Sequence, residues 1–159
     1  MALRIREEAA GLPVYRPGRR PPLIDGLPAY KLSSNENPYP PLPGVLAAAT
    51  QACAELNRYP DITAAALTTA LAERLDVAPE RIAFGTGSVA VLFHLLNVLG
   101  RPGVEVVYAF RSFEAYPIAT QLSGATGVPV PLTPAYEHDL DAMLAAIGPG
   151  TVEIGRAHV

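Results

Sequence analysis

The chain has 159 residues, a formal net charge of −3, 50% hydrophobic and 17% charged residues. That balance favours a packed domain of ordinary size over disorder, and the mild acidity leaves no basic footprint for nucleic acid. No apolar run approaches the roughly 20 residues of a membrane span, so neither nucleic acid nor a membrane is an expected partner.

The first ten residues are charged and amphipathic, with Arg4, Arg6, Glu7 and Glu8, and lack the apolar stretch of a secretory signal, so a cytoplasmic protein is expected. Residues 11–44 are rich in proline, from Pro13 to Pro43. Proline fixes φ and lacks a backbone donor, which predicts an extended arm with turns. Residues 1–44 thus read as an N-terminal helix and a proline-rich arm. Residues 45–56 carry Val45, Leu46, Ala49, Ala52, Cys53 and Leu56 on one helical face. Cys53 is the one cysteine, which excludes an internal disulfide and predicts a buried thiol. Asn57-Arg58-Tyr59-Pro60 breaks that helix, and Asp61 is suited to cap another over residues 62–75.

From Arg81 the pattern alternates. Strands are expected at 82–84, 104–110 and 127–132 and from Thr151, with helices at 89–99, 113–122 and 138–147. Fully apolar strands alternating with helices predict an α/β fold whose mostly parallel sheet is covered by helices on both faces. Residues 45–152 read as one such domain. Residues 153–159 do not continue the pattern. Ile154-Gly155-Arg156-Ala157-His158-Val159 reads as one translated frame of a common sequencing adapter, so residues 153–159 are expected to be foreign, with the strand ending at Val152.

Between the first strand and its helix lies Gly85-Thr86-Gly87-Ser88-Val89-Ala90. Helix N-terminal amides bind anions, and glycine permits close approach. The spacing also meets the dinucleotide fingerprint, which expects an acidic residue about 20 positions on; the next strand ends Ala109-Phe110-Arg111 without one. A monophosphate is therefore the favoured ligand, with a dinucleotide and a purely structural turn as alternatives.

Four segments in order carry a resemblance: Leu32-Ser33-Ser34-Asn35-Glu36-Asn37-Pro38-Tyr39, Leu56-Asn57-Arg58-Tyr59-Pro60-Asp61, the glycine turn, and Arg111-Ser112-Phe113-Glu114-Ala115-Tyr116. Together they resemble the histidinol-phosphate and aromatic aminotransferases of pyridoxal-phosphate fold type I, over residues 3–152. The resemblance implies an arm followed by the incomplete large domain of that fold, a homodimer, and pyridoxal 5'-phosphate as cofactor. It implies that Gly87, Ser88 and Val89 hold the cofactor phosphate, although Val89 replaces an Asp common in relatives. Phe113 takes the place of the aromatic stacked on the pyridine ring, and Tyr59 that of a tyrosine reaching the neighbouring subunit's cofactor phosphate. Tyr15 would touch the substrate from the partner subunit, and Asn35 would lie in the loop that borders it; an ordinary structural role is the alternative for each.

The family's Schiff-base lysine, the Asp beneath the pyridine nitrogen and the Arg for the substrate carboxylate lie beyond residue 152. Lys31, the sole lysine, matches no Schiff-base motif and reads as a solvated charge. No catalytic residue is therefore assigned, and the fragment alone is expected to be inactive. His94 reads as a packed or rim residue, His138 as a helix start, and Asp139 and Asp141 as first-turn helix charges; no metal-ligand spacing appears. The activity implied for the whole protein is reversible amino transfer between histidinol phosphate and 2-oxoglutarate, with aromatic amino acids as close alternative donors. Threonine-phosphate decarboxylation, a nicotinamide-dinucleotide-binding domain and a non-catalytic fragment are the rival readings.

Overall fold

The structure is a computed structural model that describes residues 4–12, 18, 19, 21–31 and 36–155. They divide into two compact units, Val14–Ile82 and Met1–Pro13 with Ala83–Val159, so the N-terminal residues group with the later part of the chain.

In the Val14–Ile82 unit, helix α1 (Pro43–Ala52) begins with proline at a position where the missing amide is not needed. It runs into a 3-10 turn, Cys53–Glu55. Its apolar face finds no cover within the unit: no residue of α1 is buried, and Cys53 is exposed, against the expectation of a packed thiol. Helix α2 (Ala65–Leu75) starts later than residue 62. Asp61 still organises the entry, one turn upstream. Its carboxylate accepts from Thr63 N (2.9 Å), Thr63 Oγ1 (2.6 Å) and Ala65 N (2.8 Å). These bonds, the Thr63 hydroxyl first, hold its pKa below the ordinary value.

The other unit contains helix α3 (Ser88–Leu99), strand β1 (Glu105–Phe110), helix α4 (Ala115–Ser123), strand β2 (Thr126–Pro131), helix α5 (Leu140–Ala145) and strand β3 (Thr151–Gly155). The sheet order is β2-β1-β3, and both pairings are parallel. The apolar run of β1 is explained by its central place. Val106 and Tyr108 pack with Leu92 and Leu96 of α3 and Ala119 of α4. Val107 and Ala109 point the other way, to Val130 and to Met143 of α5. Helices therefore cover both faces, as the alternation predicts.

Proline fits β2 because of amide direction. Thr126 N donates to Val104 O at 2.9 Å, so alternate amides, at 128 and 130, face β1, while Pro129 and Pro131 fall where a donor would face away from it.

Two sequence expectations fail here. Ile82-Ala83-Phe84 forms no strand: Ile82 has extended dihedrals (φ −108°, ψ 125°), but among the described residues no strand pairs with it. Conversely, β3 does not stop at Val152. The ladder continues with Val106 opposite Glu153, Val107 opposite Ile154 and Tyr108 opposite Gly155, after an irregularity that leaves Val152 unpaired. Oε2 of Glu153 is buried without a hydrogen-bond partner among the described residues, and burial raises its pKa.

Candidate functional site

Helix α3 (about 18 Å for twelve residues) runs back along β1 (about 20 Å for six), joined to it by the short turn at 100–104. The N-terminus of α3 therefore lies toward the carboxyl end of the parallel strands, where α/β folds place their ligands. The connections after β1 and β2 open on the same end.

The α3 N-terminus has an unusual backbone entry. Gly87 is the N-cap, with φ 85° and ψ 168°, and no side chain caps the helix. Gly87 N–H itself donates to Gly85 O at 2.8 Å, while the first-turn amides of Ser88 and Val89 are left to an outside acceptor. A Cβ at Gly87 would meet nothing within 4 Å, so that position is glycine for its backbone conformation. Gly85 is glycine for space: a Cβ there would lie 3.0 Å from Val91 N and Cγ2. Ser88 and Val89 are exposed at the helix start. Val89 presents no polar side chain, so its contribution is its amide. An uncapped helix end with a serine hydroxyl fits a phosphate group.

Phe113 follows β1 at the same end. It is half-buried, packs against the α3–α4 core cluster, and meets Tyr116 edge-on with centroids 6.1 Å apart. Tyr116 in turn stacks on Tyr108 at 5.8 Å and 14°, so the Phe113 ring is braced from behind. Arg111 and Glu114 are exposed and 4.0 Å apart.

His138, a helix start by sequence, belongs to this end. Its Nε2 lies 3.4 Å from Ser112 Oγ, linking the connection after β2 to the residue before Phe113. The signal was its place just before Asp139, which caps α5 by accepting from Ala142 N at 2.9 Å. Asp139 and Asp141 are thus helix-start charges. His94 is on an exposed face of α3.

Tyr59, in the other unit, is fully exposed. Tyr15 and Asn35 lie outside the described residues. Lys31 is not a solvated charge: Nζ pairs with Oε1 of Glu36, and its side chain is 20% exposed. Among the described residues no helix is long and apolar enough to cross a membrane, and no three His, Cys, Asp or Glu side chains gather as metal ligands.

The chain matches the family model for aminotransferase class I and II over residues 28–153. It is 56% identical over 144 residues to an aromatic amino acid aminotransferase of Streptomyces coelicolor, covering 91% of this chain and 40% of the relative. It is 53% identical to that of Thermobifida fusca, covering 90% and 39%. Among solved structures it is similar to the histidinol-phosphate aminotransferase of Sinorhizobium meliloti in complex with pyridoxal-5'-phosphate, with a TM-score of 0.67, 31% identity, and 74% of this chain and 32% of that one covered. It is also similar to an aspartate aminotransferase of Thermus thermophilus, with a TM-score of 0.68 and 26% identity over 77% and 35% of the two chains. The chain spans about 40% of the length of these curated relatives.

Proposed function

Because this chain belongs to the class I and II aminotransferase family, we propose that it forms the phosphate-holding part of an enzyme that transfers an amino group reversibly between an aromatic amino acid and a 2-oxo acid, with pyridoxal 5'-phosphate as cofactor. The observation that carries this reading is the uncapped α3 N-terminus at Gly87, set at the same end of the sheet as Phe113.

The bound cofactor supplies an aldehyde that takes the amino group and a pyridine ring that withdraws electrons. The residues of this chain bind and orient it. The amides of Ser88 and Val89 and the Ser88 hydroxyl hold the phosphate, Gly87, whose N–H donates to Gly85 O, gives the turn its shape beside it, and the helix dipole favours its charge. Phe113 supplies a flat apolar face for the ring and excludes water from it. Tyr59, free of contacts that would bury it, reaches the phosphate of a second subunit in a homodimer. Tyr15 touches the substrate bound by the second subunit, and Asn35 borders the substrate. No residue of this chain is assigned the proton transfer, since its sole lysine is held by Glu36.

The aromatic donor is supported by the names of the relatives at 56% and 53% identity. Histidinol phosphate with 2-oxoglutarate is the second reading, supported by the Sinorhizobium meliloti neighbour. A chimera tests both: residues 1–152 replace the matched part of the Streptomyces coelicolor relative, and phenylalanine, tyrosine and histidinol phosphate are assayed with 2-oxoglutarate. Turnover of the aromatic donors above histidinol phosphate supports the first reading, and the reverse order supports the second. A folded chimera that turns over none of them contradicts both.

A further inference from the structure

We infer that Gln121 is a positioning residue that straps the N-terminal segment onto α4. Gln121 Nε2 donates to Glu8 O at 2.9 Å and to Ala10 O at 3.3 Å, and Arg6 Nη2 donates to Leu122 O at 3.2 Å, contacts that close 111 to 116 residues of chain. The segment they hold is a 3-10 turn, Glu7–Ala9, closed by Ala9 N to Arg6 O (3.1 Å) and Ala10 N to Glu7 O (2.9 Å). A single such turn does not persist in water by itself, because too few bonds offset its ordering. Ile5 adds little hydrophobic anchoring, being 75% exposed, and only Ala9 and Leu12 of the apolar side chains in the segment are half-buried.

The polar contacts match what each partner lacks. A short turn leaves its carbonyls unbonded, and one carboxamide has two N–H donors, enough for both Glu8 and Ala10. The last carbonyls of α4 carry partial negative charge, which a guanidinium satisfies. The described segment, residues 4–12, is therefore held on α4. The docking stands on these contacts alone; its bearing on substrate rests on the reading of Tyr15 proposed above.

Hydrogen exchange of the 159-residue chain tests the strap, with a synthetic peptide of residues 4–12 as the free reference and β1 peptides as the fold control. The expected result is slower exchange at Ala9 and Ala10 than in the free peptide, roughly tenfold faster exchange there in Gln121→Leu, and partial recovery in Gln121→Lys, which keeps a donor of similar reach. Free-peptide exchange in the unaltered chain, or no change in Gln121→Leu, overturns the proposal. So does loss of β1 protection in Gln121→Leu, which would make the residue merely structural. The Tyr15 reading fails separately, if Tyr15→Phe leaves KM for the amino donor unchanged in the chimera.

Discussion

Gly127 of β2 makes room for Tyr108 of β1: a Cβ at 127 would lie 2.7 Å from the Tyr108 hydroxyl oxygen and 3.2 Å from Cε1. The ring cannot swing away freely, because it stacks on Tyr116. Gly127→Ala should therefore destabilise the fold by about 1–3 kcal/mol, the usual range for overpacking. Tyr108→Phe in the same chain should restore part of the loss, since the nearest atom is the hydroxyl. Urea midpoints of the two single variants and the double variant check this.

Glu153 sets a pH dependence. Burial raises its pKa above the ordinary 4.5, and its charge adds to the burial that raises the Tyr116 phenol. A raised carboxyl contributes stability fully below pH 4.5 that is lost as pH rises through the raised value. Glu153→Leu should remove that slope and stabilise the chain at pH 7 by about 1 kcal/mol, a figure kept small by the partial exposure of the side chain. Urea midpoints between pH 4 and 8 check the sign; a steeper loss of stability toward acid in the parent chain would contradict it.

The β1–α4–β2–α5 alternation was legible because burial on both faces forces continuous apolar strands, and the glycine turn because an uncapped helix start demands unusual backbone. What failed depended on neighbours. Phe84 has strand-like chemistry but no strand beside it among the described residues, and Cys53 sits on an apolar face that its unit leaves open. His138 joins the site through Ser112, 26 residues earlier, a contact that exists only once β1 and β2 are side by side. Lys31 and Glu36 are five residues apart in a segment without helical periodicity, so no spacing rule pairs them.

In the chimera, Ser88→Ala should weaken pyridoxal 5'-phosphate binding roughly 10- to 100-fold, the effect of one hydrogen bond to a charged group. Pyridoxal, which lacks the phosphate, should bind both forms alike. Spectrophotometric titration with the two compounds separates a phosphate contact from a general loss of fold.

Phe113→Tyr should leave cofactor affinity within about twofold, because the stacking face is retained, whereas Phe113→Leu should lower it by a few-fold to roughly tenfold. The same titration reads both variants, with far-ultraviolet circular dichroism as the check on folding.

The most direct test of the central claim is an amide NMR titration of the isotope-labelled chain with pyridoxal 5'-phosphate and, separately, pyridoxal. The Gly87, Ser88 and Val89 amides should shift with the phosphorylated compound and stay in place with pyridoxal. Unmoved resonances at 87–89, or equal shifts with both compounds, would contradict it.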